Sequence, residues 1–224
     1  MPLQHLPVWI LLGAFMLAIN AGMINVLRLI TVLHQSISHM TGNASLMAQA
    51  LIQQQFDVVL YLFLILLSYV LGSSYSGFIL GNSHFQWGRR YGIPMSLVGI
   101  FILLCWLFMP HYPKYALLWA SVAMGMQNAM VSHYKGTIIR TTHLSGVLTD
   151  LGLALGYRFR GLNIEKRRVI LHLLILFGFI LGGMIASLLY PYLQLNAFLF
   201  PAGLSLILSL LYWIFYFRHR ASQN

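Results

Sequence analysis

Two short polar stretches hold most of the groups in this 224-residue chain that are able to grip a solute. His39-Met40-Thr41-Gly42-Asn43 comes first, and 104 positions later His143-Leu144-Ser145-Gly146 repeats its opening four positions in kind: His, an apolar residue, a hydroxyl, Gly. A helix beginning at Gly42 or Gly146 aims free N–H groups and a partial positive charge at whatever lies ahead of it, which suits an anion or a polar solute. Glycine lets the backbone come close. Thr41 and Ser145 stand where an N-cap accepts a backbone N–H, a role compatible with solute contact. His39 and His143, just outside these caps, are either a facing pair of ligands or side chains hydrogen-bonded to their own turns.

Other polar groups lie in or beside apolar runs. Asn25 and Asn128 follow the small residues Gly22 and Gly125, so they serve either as hydrogen bonds between close-packed helices or as solute contacts. The chain has three acids. Glu165 belongs to a basic loop and Asp57 to a helix start, where the dipole favours it. Asp150 is the sharper case, one turn after Gly146 on a segment expected to enter the membrane, where an acid is a functional hypothesis by default. It is read as a proton or cation site, or as the partner of Arg140; Thr142, two positions after that arginine, adds a hydroxyl before the second break. The first half has no acid at the matching place.

Positioning these groups falls to membrane helices. With 59% hydrophobic residues, 7% charged ones and a mean hydropathy of +0.80, the chain is an integral membrane protein rather than a soluble domain. The net charge of +10 sits at helix ends, so it reads as topology and not as a nucleic-acid surface. The lone Cys105 excludes an internal disulfide and a cysteine metal cluster and is read as a packing residue. No cofactor and no metal site is expected. Full crossings are expected over Val8–Leu27, Val58–Leu80, Pro94–Met109, Tyr115–Ser132, Val169–Leu189 and Ala197–Phe217. Two pieces, Ala44–Ile52 and Leu144–Gly156, are too short, since the 13 residues of the longer one rise only about 20 Å as a helix against a hydrocarbon core of about 30 Å.

The order of landmarks repeats. Gly22-Met23-Ile24-Asn25 aligns with Gly125-Met126-Gln127-Asn128 at a spacing of 103, Val70-Leu71-Gly72 with Ile180-Leu181-Gly182 at 110, and Pro94 and Trp106 with Pro201 and Trp213 at 107. The chain therefore reads as one membrane domain, 1–224, made of two repeats, 8–110 and 113–218. If each short piece dips in and returns to the same face, three crossings per half make the halves opposite in orientation. Eleven basic residues, among them Arg89, Arg90, Lys135, Arg140 and the cluster Arg158–Arg168, then face the cytoplasm, and only Arg28 and Lys114 lie outside. The expected fold is all-α, with six transmembrane helices and two re-entrant half-helices in an inverted repeat and both termini cytoplasmic. Irregular backbone at membrane depth needs protein or a water-filled cavity around it, and that cavity is the candidate site.

Met40-Thr41-Gly42-Asn43, Gly125-Met126-Gln127-Asn128-Ala129 and Arg140-Thr141-Thr142-His143-Leu144-Ser145-Gly146 give the chain a family look. Over nearly its whole length it resembles the YoaK-type bacterial membrane proteins, a family of undetermined function sometimes labelled permease-like. The resemblance implies a multi-pass protein of the bacterial inner membrane and supplies no activity. Members often carry Asp where this chain has Asn25, which weakens any proton-coupling role for the first helix, and Thr where it has Ser145.

The functional expectation is a transporter or channel-like permease for a small polar or anionic solute, bound near the midplane between the two breaks. The alternatives are a membrane-embedded enzyme acting on a lipid or quinone, and a non-catalytic assembly subunit. Against the enzyme, the sequence has no His-Glu-x-x-His, no Gly-x-Ser-x-Gly and no close carboxylate pair. The expected partners are the solute, the bilayer and, through Gly182-Gly183 or other small-residue faces, a second copy of the chain.

Overall fold

A computed structural model describes residues 8–31, 40–81, 89–132 and 141–221. The described residues form helices and turns, with no strand. Eight α-helices follow one another: α1 (Val8–Thr31), α2 (Met40–Ile52), α3 (Phe56–Leu80), α4 (Arg89–Phe108), α5 (Pro113–Ser132), α6 (Leu144–Phe159), α7 (Lys166–Leu193) and α8 (Leu199–Ala221). Helices satisfy every interior backbone group within the segment, which is what a hydrocarbon solvent demands. Large apolar side chains such as Phe63, Phe78, Leu188 and Ile207 point outward, an arrangement suited to lipid.

Four helical stretches among the described residues are long and apolar enough to cross a membrane: Val8–Thr31, Phe56–Leu80, Arg90–Phe108 and the 56-residue run Lys166–Ala221. That last run is broken by Gln194, at φ 49, and by a 3-10 turn over Gln194–Phe198, which separate α7 from α8. Helix α5 has the length but is less apolar, because its second half carries Gln127 and Asn128. The sequence reading placed Pro94 at a helix start, yet α4 begins five residues earlier, at Arg89, and holds Pro94 inside. The extra turn packs Gly92 against the Trp213 ring of α8. Likewise α2 starts at Met40 rather than Ala44, since Met40 packs onto the central apolar cluster, and α6 runs on to Phe159.

Glycines set the closest approaches. A Cβ on Gly22 of α1 would collide with the Phe179 carbonyl of α7, and one on Gly182 with the Ile19 carbonyl. Between α3 and α5, Gly125 meets the Tyr69 carbonyl and Gly72 the Val122 carbonyl in the same way. Spacings of 103 for α1 and α5, and 110 for α3 and α7, carry each contact of the first seam onto one of the second. Gly99 packs on Leu206, the residue 107 positions away that is its own counterpart. Left-handed residues pair likewise: Gln54 and Gly161 (φ 57 and 72) follow the short helices, and Gly81 and Gln194 (φ 59 and 49) follow α3 and α7. The spacings that relate the sequence landmarks thus also relate these glycine contacts.

Contacts also give direction. Phe15 with Gly178, Ile19 with Gly182 and Val26 with Gly183 advance together, so α1 and α7 run parallel. Ile65 with Ser121 and Ser73 with Gly125 make α3 and α5 parallel. Gly92 with Trp213, Ser96 with Ser209 and Gly99 with Leu206 run in opposite senses, so α4 and α8 are antiparallel. The hairpin turn at 109–112 makes α4 and α5 antiparallel, with Phe101 and Phe108 both stacked on Trp119.

Candidate functional site

At the middle of α1, Asn20 is fully buried, with apolar residues on either side of it in sequence. Its Nδ2 donates to Gln127 Oε1 at 3.0 Å, and Gln127 Nε2 donates in turn to the Leu17 carbonyl and to Thr141 Oγ1, both at 3.0 Å. Thr141 donates to Asn128 Oδ1 at 3.1 Å. Asn128 Nδ2 lies 2.9 Å from Tyr69 Oη and 2.6 Å from Thr142 Oγ1. This is a continuous polar chain through α1, α5, α3 and the turn that leads into α6. Satisfied amides and hydroxyls in a low-dielectric interior hold one another in fixed orientations.

Two acceptors beside it are left over. Asn20 Oδ1 and Ser205 Oγ are buried without a hydrogen-bond partner among the described residues. Ser205 and Gln127 line a crevice with Leu17, Met95, Val98 and Met130 that is too tight to admit a water molecule. Buried polar atoms without partners are costly, so each such atom calls for an explanation.

Of the residues expected from sequence, Asn128 and Thr142 belong to this network. Asn25 is half-buried outside it. Asn43 is fully buried in the first turn of α2; its Nδ2 reaches Met40 Sδ at 4.0 Å, and its Oδ1 has no partner among the described residues. Thr41, His143, Ser145 and Gly146 are exposed, and Gly42 is half-buried. His39 and Arg140 lie outside the described residues, as does Lys135. Helix α2 begins earlier than expected, at Met40, while α6 begins at Leu144, the start expected for its segment; Thr41 and Ser145 are therefore inside their helices and are not the N-caps they were read as. Their carbonyls instead accept from Ser45 Oγ and Thr149 Oγ, one turn on. Residue 143 is the N-cap of α6, and its side chain makes no cap hydrogen bond.

Asp150 is partnered by two residues of α7, while Arg140, the partner expected from sequence, lies outside the described residues. Arg168 Nη2 lies 3.1 Å from its Oδ2 and His172 Nε2 3.4 Å from the same oxygen, both on α7. The Arg168 and Asp150 side chains are 48% and 33% exposed, so this cluster ties α6 to α7 at the edge of the bundle. Gly182 and Gly183, read from sequence as a dimer face, are spent inside the chain against Ile19 and Val26. Among the described residues no group of three or more His, Cys, Asp or Glu side chains is arranged to hold a metal ion.

Residues 13–211 match the family described as a protein of unknown function, DUF1275. The chain belongs to that family. No curated protein and no solved structure matches it. The DUF1275 match spans α1 to most of α8 and so takes in every residue of the buried network.

Sequence reasoning missed Asn20, Gln127, Thr141 and Tyr69. Asn20 carried its own signal, an amide at the centre of a crossing helix, but unlike Asn25 it has no polar counterpart in the second half. Gln127 and Thr141 sat inside recognised motifs, and only the fold shows that they face each other across 14 positions. Arg28 was also missed, having been taken for the charge that ends the first helix. It is 7% exposed and lies inside the bundle.

Proposed function

We propose that this DUF1275 member is a YoaK-type multi-pass permease of the bacterial cytoplasmic membrane that moves a small polar or anionic solute past the Asn20–Gln127–Asn128 network. The observation that carries this reading is the polar chain itself: amides and hydroxyls linked at mid-helix depth, with the Asn20 Oδ1 acceptor unpaired beside a closed crevice. Polar groups at such depth are expensive and face the interior of a bundle where a solute or proton passes.

The proposed topology has six crossings, with α2 and α6 entering from opposite faces and leaving by the face they entered. Helix directions support it. Eight full crossings in alternation would make α4 and α8 parallel, whereas they are antiparallel. The basic residues agree, since Arg90, Arg158, Arg160, Lys166, Arg167, Arg168, Arg218 and Arg220 fall at one end of the helices and Lys114 at the other. The richly basic end is cytoplasmic by the positive-inside bias. Arg28 no longer counts as an outer loop charge, which sharpens that bias.

Flux into proteoliposomes tests the reading. A panel of formate, acetate, nitrate, urea and glycerol is offered to vesicles with and without protein, and to vesicles carrying Asn20→Leu or Gln127→Leu. Protein-dependent uptake of at least one solute, reduced about tenfold or more by either variant, is expected if each removes one hydrogen bond to the moving solute. Uptake equal to that of protein-free vesicles for every solute overturns it.

A further inference from the structure

The chain buries a cation that its own acids do not neutralise. Arg28 lies one turn inside the end of α1, and its Nε and Nη2 have no hydrogen-bond partner among the described residues. The ionisable groups close enough to act on it electrostatically are the Tyr61 phenol of α3 and the Cys105 thiol of α4. Tyr61 Oη is itself buried without a partner. The three acids of the sequence lie elsewhere: Asp57 and Glu165 are exposed, and Asp150 is held by Arg168 and His172. A guanidinium taken out of water without a counter-charge costs several kcal/mol, and a bound anion removes that cost.

The vacant donors define the anion's shape. Nε–H and Nη2–H form one edge of the guanidinium and point in parallel, the fork that meets two oxygens of a carboxylate, nitrate or phosphate together. We propose that Arg28 is the centre of a binding site for a small oxyanion, held along its Nε–Nη2 edge with the Tyr61 hydroxyl as the third donor. The site names the solute class for the permease reading and in that sense rests on it, although binding is measurable without transport. Eight residues of helix place it about 12 Å along α1 from Asn20, so the two mark successive stations beside one helix.

The test uses purified full-length protein in neutral detergent, titrated with sodium formate, acetate, nitrate or inorganic phosphate at constant ionic strength and followed by melting temperature. A saturable rise for at least one of these anions is expected, because a ligand that prefers the folded form stabilises it by mass action. Arg28→Gln abolishes the rise, and Arg28→Lys weakens it because an ammonium lacks the fork. Tyr61→Phe, which removes only an unpartnered hydroxyl and should fold, weakens affinity roughly tenfold, the worth of one hydrogen bond to a charged group. No response to any oxyanion, or unchanged affinity in Tyr61→Phe, overturns the site. A parallel titration with short-chain phosphatidylglycerol against phosphatidylcholine separates the sources: an Arg28-dependent rise with the anionic lipid alone assigns the oxygens to a headgroup and overturns the free-anion form. Arg28-dependent binding without flux keeps the site and removes the permease reading; flux of urea or glycerol with no anion binding does the reverse.

Discussion

Gly22 meets the backbone carbonyl of Phe179 so closely that no side chain fits between α1 and α7. Helices in lipid gain nothing from burying apolar surface against each other, so their association rests on packing of this kind and on hydrogen bonds. Because Gly125 meets the Tyr69 carbonyl in the same way, one physical device holds both halves.

Gly22→Ala and Gly125→Ala should therefore each force two backbones apart and cost about 1–3 kcal/mol, the range for overpacking a well-filled interior. Gly152→Ala, where the added Cβ meets nothing within 4 Å, should be harmless or slightly stabilising on its helix. Melting curves followed by a thiol-reactive dye report all three variants, since Cys105 is the sole cysteine and is fully buried until the bundle opens. Equal melting temperatures for Gly22→Ala and Gly152→Ala would contradict the seam.

Gln127→Leu is expected to destabilise by about 2 kcal/mol, because it strips three hydrogen bonds worth roughly 0.6 kcal/mol each inside a membrane. It also leaves the Leu17 carbonyl and the Asn20 amide without that partner. Pairing it with Asn20→Leu removes both ends of one bond, so the double variant should lose less than the sum of the singles. Additive losses would mean the two amides are not coupled.

Much of the fold was legible because membrane helices announce themselves by length and hydropathy, and because Gly22, Gly72, Gly125 and Gly182 had to be glycine in both halves. The helix starts were less so. Leu144 was legible as the start of α6, but Met40 is apolar, and nothing local shows that it docks on the bundle and draws the start of α2 ahead of Thr41. The site was half legible. Asn128 was picked because it sits in a repeated motif and Thr142 because its hydroxyl precedes the second break, while Asn20 has Ala123 as its counterpart and Arg28 has Val131, so a search for symmetry passes over both. Both residues lie where the two halves differ, and repeat matching suppresses that signal.

Asp150→Asn should change little. Its ion pair with Arg168 is partly solvent-exposed, and pairs of that kind contribute about 1 kcal/mol or less. A melting temperature within a few degrees of the parent, with uptake within twofold, is expected if the cluster only fastens α6 to α7. A stable variant with uptake lost would instead give Asp150 a part in moving the solute.

The proposed opposed orientation of the halves has a direct readout at their matching turns. Gln54 and Gly161 are left-handed residues that end α2 and α6, the two short helices, at equivalent places in the repeat. Helix directions put Gln54 at the same end of the bundle as His111 and as Asn196, whose Oδ1 accepts from Trp106 Nε1 at 3.1 Å. Arg160, beside Gly161, belongs to the other end, with Arg218 and Arg220. Single cysteines at Gln54, His111 and Arg160 in a Cys105→Ala background should then react with an impermeant maleimide from the outer face for the first two and from the cytoplasmic face for the third. Each of these positions is exposed, so reactivity reports sidedness and not burial. Labelling of Gln54→Cys and Arg160→Cys from one and the same face would mean that the short helices enter the bundle from a common side, and a path running between them from face to face would then have no structural basis.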